Sequence, residues 1–193
     1  VFEFILVPNG GRLADTEGVI AHGLRTKEGL LSGSFSFRQD VMAGAAGNWG
    51  YDLLHGILFL VSEDVFLVLA VQALLGGLSA VVVFRLGSLL YGAPAATLAA
   101  AVVTVHPELI HWAGTNHKDS VVASLLVIAT WAGIEFVRMG RYKVLGLMCV
   151  TVVALYITRQ SIALVWAGVM GMLLIWSMLP GFTITILQIR IAI

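Results

Sequence analysis

Charge is scarce in this chain. Only 11% of its 193 residues are Asp, Glu, Lys or Arg, against roughly 25% in a soluble domain. The eleven basic and eleven acidic residues cancel, so no bulk positive charge argues for a nucleic-acid partner. There is one cysteine, Cys149, in the middle of an apolar run. It forms no disulfide within the chain and reports nothing about redox compartment. The P-loop, the G-x-S-x-G nucleophile turn and the C-x-x-C pair are all missing, and SGSFSF at 32–37 is too ordinary to stand in for a nucleophile loop. Hydrolase and nucleotide-driven pump readings lose their usual support.

What the chain has in abundance is apolar. Hydrophobic residues make up 59% of it and the mean hydropathy is +0.97, which marks an integral membrane protein built of helices. A spanning helix needs about 20 mostly apolar residues. Such runs occupy 65–84, 93–110, 120–137, 144–157 and 161–179, giving an expected transmembrane region over 1–179. Residues 1–7 read as the outer end of a truncated first helix rather than a signal peptide, because no basic segment precedes them. Residues 180–193 read as a truncated tail, rich in β-branched residues and broken by Gln188 and Arg190. Small residues recur four apart at Gly76 and Ala80, Ser120 and Ser124, Ala129 and Gly133, and Ala167 and Gly171, a spacing that lets membrane helices approach closely.

Residues 8–64 form the one sizeable stretch outside these runs. Between Asp15 and Leu31, Val19, Ile20, Leu24 and Leu30 fall at helical spacing. A second short apolar piece, 51–61, is headed by Trp49 and Tyr51 and reads as an interfacial helix, since amphipathic aromatics favour the headgroup level. Ser62, Glu63 and Asp64 make a good start for the next helix. Arg85, and then Arg138, Arg141 and Lys143 with only Glu135 beside them, place their loops on the cytoplasmic side. Alternation puts 8–64, the 106–119 turn and the 158–160 turn together outside, with nine of the eleven acids.

The 106–120 stretch, HPELIHWAGTNHKDS, is richer in chemistry than a connector needs. Asp119 there can simply cap the following helix and favour its positive end. Lys118 is not explained that way, because a cation at a helix N-terminus is mildly unfavourable, and it fits better beside a bound anion such as phosphate. Arg159, between two apolar runs, faces either headgroup phosphates or an anionic ligand. Asp15 and Glu17 follow the first apolar segment. Two residues apart on a helix they diverge by about 200°, so one of them acts, or Asp15 or Thr16 is an N-cap. His106, His111 and His117 match no zinc pattern such as H-E-x-x-H, and Pro107 prevents one helix from displaying all three. No metal site is expected.

Four stretches carry a family resemblance. GGRLADTEGVIAHGL, NWGYDLLHGILFLV through VFRLGSLLYG, HPELIHWAGTNHKDSVVASLLVIATW and LYITRQSIALVWAG occur in the order found in GT-C class polytopic glycosyltransferases. That superfamily holds the protein O-mannosyltransferases, the lipid A aminoarabinose transferases and the family 39-like enzymes. The resemblance implies an all-α integral membrane bundle with interfacial helices in its first outer loop. It implies a plasma-membrane enzyme moving a sugar from a polyprenyl-phosphate donor to a lipid, glycan or protein acceptor on the extracytoplasmic side, by inverting displacement. In that reading Asp15 and Asp119 are the catalytic acids, Lys118 and Arg159 hold the donor phosphate, and Glu17, His117 and His111 are secondary. No cofactor is implied, with a divalent metal as an open alternative. Val19 stands where relatives often carry Tyr, and Ala93 where they carry a basic residue. Two rivals remain at this stage: a polysaccharide polymerase or ligase, which leans on arginines more than on Asp15, and a transporter or flippase subunit, which calls for charged or broken-helix residues near mid-membrane.

Overall fold

The computed structural model describes residues 13–34, 49–114, 116–139 and 142–178. Among them every regular element is a helix. In chain order these are α1 (Leu13–Ser32), α2 (Trp49–Phe59), α3 (Val65–Leu90), α4 (Ala93–Val105), α5 (Pro107–Gly114), α6 (Lys118–Met139), α7 (Tyr142–Thr158) and α8 (Gln160–Met178).

Local chemistry sets the boundaries. Asp64 caps α3, its side chain accepting from the Phe66 backbone N–H at 2.9 Å, as the Ser-Glu-Asp start leads one to expect. α3 ends at Tyr91, and Gly92 then adopts φ 91°, a conformation that a side chain would strain. Pro94 sits in the first turn of α4, where its missing N–H costs nothing. The 93–110 run is not one helix. It breaks at His106, because Pro107 cannot donate to the preceding turn and disfavours helix at the residue before it. α4 therefore has 13 residues, about 20 Å of rise, and α5 starts a new direction at Pro107.

Among the described residues two helices, α3 and most of α6, are long and apolar enough to cross a membrane, and three shorter apolar helices accompany them. Burial separates a membrane helix from a soluble core helix here. Only 22% of the most apolar stretch of α3 is buried inside the protein, and Phe66, Leu74, Leu78 and Val81 are exposed. A face that apolar has lipid as its natural solvent. The chain is a membrane protein.

The helices pack as a row. α7, α6, α3 and α4 lie side by side, with α8 seated against α6 and α7. Val122 and Ala129 of α6, Leu155 of α7, and Ala163, Trp166 and Met170 of α8 form the core of that group, and the Trp166 indole donates to Thr130 Oγ1 at 2.9 Å. α7 and α8 are separated by Arg159 alone, which puts that arginine at the apex of a hairpin. α2 packs against α1, α7 and the start of α3. Lys27 of α1 reaches Glu63, just before α3, at 2.5 Å.

The four small-residue pairs divide. Ala129, Ser120 and Ser124 are buried at helix contacts, and a side chain at Gly133 would meet Met170. Gly76 and Gly171 have nothing within 4 Å of a built Cβ, so among the described residues they do not serve close approach. The tightest approach to a neighbouring backbone is at Gly50 of α2. A Cβ there would lie 2.5 Å from Ile157 Cγ1 and 2.8 and 2.9 Å from the Ile157 carbonyl carbon and oxygen. Backbone at that distance cannot give way cheaply. Gly50→Ala should therefore destabilise the folded protein by about 1–3 kcal/mol, read as a lower unfolding temperature in detergent. Gly76→Ala is the control and should leave that temperature unchanged.

Candidate functional site

The end of the bundle where α6 begins and α7 turns into α8 gathers the polar residues. Asn116 takes a left-handed backbone conformation, φ 52°, which Asn tolerates better than most residues. The chain turns there from α5 into α6, and the Ser120 N–H returns to the His117 carbonyl at 3.2 Å. Lys118 and Asp119 occupy the first turn of α6.

Both oxygens of the Asp119 carboxylate meet basic side chains. Oδ1 accepts from Arg159 Nη1 at 2.5 Å, and Oδ2 lies 3.1 Å from His117 Nδ1. The Asp119 and Arg159 side chains are 27% and 39% exposed. That leaves the pair at a surface accessible to a ligand, and limits its own stabilising effect to about 0.2–1 kcal/mol. The hairpin apex positions Arg159, and Gly50 against Ile157 holds that apex to α2.

Beneath this pair lies a buried polar network that draws on three segments. α2 supplies Tyr51 and His55, four residues apart and so on one face; α3 supplies Gln72; the α5–α6 connection supplies Asn116, with Ser120 next on α6. All five are at most 5% exposed. The Tyr51 hydroxyl is 2.8 Å from the Asn116 carbonyl oxygen and 2.9 Å from its Oδ1. Gln72 Nε2 lies 2.6 Å from Tyr51 Oη and 2.9 Å from Asn116 Oδ1. His55 spans from the Tyr51 carbonyl to Asn116 Oδ1, 2.9 Å at each end. Ser120 Oγ reaches Gln72 Oε1 at 3.1 Å and the His117 carbonyl at 3.0 Å. Burial pushes the Tyr51 hydroxyl well above its ordinary range; the Gln72 bond opposes that, and the Asp52 and Asp119 charges add to it.

Asp52 stands beside this network. Burial raises its carboxyl above the usual range, while His22, His55 and Lys118 pull it back. A half-buried carboxyl with a lysine and two histidines in its field is the kind of group that handles a proton.

Of the residues singled out from sequence, Asp119, Arg159 and His117 are brought together, and Lys118 lies on the adjacent helical position within the field of Asp52. His111 is partly buried on α5, and His106 is the exposed residue between α4 and α5. Asp15 and Glu17 fall on the helical backbone of α1, two positions apart and so on different faces, and their side chains lie outside the described residues. Among the described residues no three His, Cys, Asp or Glu side chains cluster as metal ligands. Tyr51, Asp52, His55 and Asn116 were not among the expected site residues, Tyr51 reading only as an interfacial aromatic. The available signal was the Tyr51–His55 spacing, together with a lone Gln72 in an apolar helix.

Residues 49–188 match the family described as dolichyl-phosphate-mannose-protein mannosyltransferase. The chain belongs to that family. No curated protein and no solved structure matches it. As a member of this mannosyltransferase family it is a membrane glycosyltransferase of the GT-C class, and the family description itself names a lipid-linked sugar donor and a protein acceptor. The matched stretch opens at the head of α2, so it takes in Asp52, the buried network, Lys118, Asp119 and Arg159, and leaves Asp15 and Glu17 outside.

Asp52 gives a prediction with a definite sign. Its folded-state carboxyl titrates above the unfolded one, so ionising it opposes folding. That penalty is absent well below the ordinary Asp value, grows as pH rises from that value to the raised one, and is constant above it. Asp52→Asn in this mannosyltransferase-family protein should then raise the unfolding temperature in detergent at about pH 7, and the gain should vanish below about pH 3, where the native carboxyl is protonated in both states.

Proposed function

We propose that the chain forms part of an enzyme that takes a sugar from a polyprenyl-phosphate donor and transfers it to an extracytoplasmic acceptor by inverting displacement. The acceptor is a lipid, glycan or protein. The observation that carries this reading is the meeting of Lys118, Asp119, Arg159 and Asp52 at one end of an apolar bundle. A lipid phosphate sits at that depth, with its prenyl tail along the exposed apolar faces of the helices.

In the proposed step the acceptor hydroxyl oxygen attacks the anomeric carbon from the face opposite the phosphate. The bond from the anomeric carbon to the phosphate oxygen breaks, the acceptor proton passes to a carboxylate, and the lipid phosphate departs with the extra negative charge. Lys118 and Arg159 stabilise that charge as it develops. The Asp119 carboxylate, already engaged by Arg159 and His117, fits a role in holding the guanidinium in place better than a role as base. The base is then Asp15, as the family resemblance implies, or Asp52, which lies inside the matched region and whose raised carboxyl suits proton transfer. The basic residues near Arg85 and Arg138 lie at the other end of α3 and α6, where Arg138 donates to the Leu89 carbonyl at 2.8 Å. That arrangement supports a multi-pass protein of the plasma membrane whose site faces outward.

Turnover and lipid-donor affinity, measured on full-length protein with dolichyl-phosphate mannose, separate these roles. Substituting the true base by Asn should lower transfer by roughly 10² to 10⁴ with little change in donor binding. The Asp15→Asn and Asp52→Asn variants therefore identify which carboxylate serves. Arg159→Ala should weaken donor binding and rate together, since a phosphate-holding cation acts in the ground state and more strongly in the transition state. Full transfer in all three variants would end the proposal.

A further inference from the structure

The heavy-atom geometry of the buried network admits two hydrogen-bond arrangements, which differ in the proton count of His55 and in the orientation of two amides. His55 Nδ1 faces the Tyr51 carbonyl oxygen, and Nε2 faces Asn116 Oδ1. Both partners are acceptors, so the imidazole satisfies both only when it carries two protons. In this arrangement Asn116 Nδ2 is buried without a partner, at a cost of about 1–3 kcal/mol.

A neutral His55 forces a different arrangement. Nδ1 keeps its proton for the Tyr51 carbonyl, and Nε2 then offers a lone pair. Asn116 can meet it only by turning its amide so that the NH₂ faces the ring, which also finds a partner for the orphaned nitrogen. That NH₂ would now oppose the Gln72 nitrogen 2.9 Å away, so Gln72 must turn as well. Its oxygen then accepts from Asn116 and from the Tyr51 hydroxyl, and its nitrogen donates to Ser120 Oγ. Ser120 keeps its bond to the His117 carbonyl.

Tyr51 has one proton to give. With His55 charged, Gln72 donates to the Tyr51 oxygen and the Tyr51 proton holds the Asn116 carbonyl at 2.8 Å. With His55 neutral, the Tyr51 proton goes to Gln72 and the Asn116 carbonyl is released. Asn116 is the left-handed residue that leads into His117, Lys118 and Asp119.

We propose that Asn116 is a positioning residue for the outer site and that the proton on His55 sets which of two amide arrangements holds it. The groups facing His55 are its own helix neighbours Tyr51 and Asp52, Gln72 of α3, and Asn116. His22 of α1 and Lys118 and Asp119 of α6 act on it through Asp52 and Tyr51. α7 meets α2 through Ile157 at Gly50, where nothing titrates. The proton coupling stands apart from the reaction; only its consequence for transfer rests on the glycosyltransferase reading.

Nitrogen NMR of the full chain in detergent micelles tests the coupling, with side-chain signals of His, Asn and Gln assigned through His55→Gln, Asn116→Asp and Gln72→Glu. Neutral His55 should carry its proton on Nδ1. As pH changes the protonation of His55 Nε2, the Asn116 and Gln72 NH₂ signals should move together with it. In Asn116→Asp the carboxylate only accepts, so the doubly protonated ring should persist to higher pH. A neutral His55 with its proton on Nε2, a His55 that stays in one form at every pH at which the protein is folded, or amide signals that do not follow it, each overturns the coupling. For positioning, the readout is the pH profile of transfer by the full-length protein. It should shift in Asn116→Asp in the same direction as His55, and an unmoved profile overturns the positioning role. Wild type without transfer would sink the glycosyltransferase reading instead, leaving the NMR result to decide the proton coupling.

Discussion

A buried polar atom in an apolar protein must find a partner, and this fold is arranged around five residues that do so together. Tyr51, His55, Gln72, Asn116 and Ser120 come from three separate segments. Each would cost about 1–3 kcal/mol if left alone. Their mutual bonds fix where α2 lies on α3 and how the α5–α6 connection enters α6. Apolar packing sets no such register, because lipid is as good a solvent for these helices as their neighbours are. The mouth of the site inherits its geometry from this buried layer.

Above it, placement matters more than strength. The Arg159–Asp119 pair is too exposed to contribute much to stability, yet it holds a guanidinium at the apex of a hairpin with one connecting residue. In the proposed reaction an incoming phosphate would meet a cation already oriented, with Lys118 on the neighbouring helix start. Preorganised charge of this kind stabilises a departing phosphate without rearrangement during reaction. The side-chain-free contact at Gly50 belongs to the same design, since it lets α2 lie directly on the α7 end that carries Arg159. Asp52, raised by burial, adds a group that destabilises the fold in its charged form and is suited to proton transfer for that reason.

Much of this was legible in the residues themselves. Low charge and long apolar runs marked a helical membrane protein, Ser62 to Asp64 marked the start of α3, and Pro107 marked a break that the single 93–110 run had glossed over. Lys118 and Arg159 stood out because each is an expensive choice at a helix end, whereas Asp119 was also explicable as a favourable charge in the first turn. Their pairing was not legible: a contact between Asp119 and Arg159 depends on how α6 and α7 pack, and no local spacing encodes it. Tyr51 and His55 passed for ordinary interfacial residues until Gln72 and Asn116 closed the network. The small-residue pattern at Gly76 was ambiguous in the same way, since spacing alone does not say whether a face meets another helix or lipid.

The most direct test is a structure of the full-length protein with dolichyl-phosphate mannose bound. The account places the donor phosphate against Lys118 and Arg159, with the anomeric carbon open to an acceptor from the side of Asp15 or Asp52. A phosphate bound at the opposite end, near Arg85 and Arg138, or a site in which Arg159 keeps only Asp119 while the donor lies elsewhere, would contradict it.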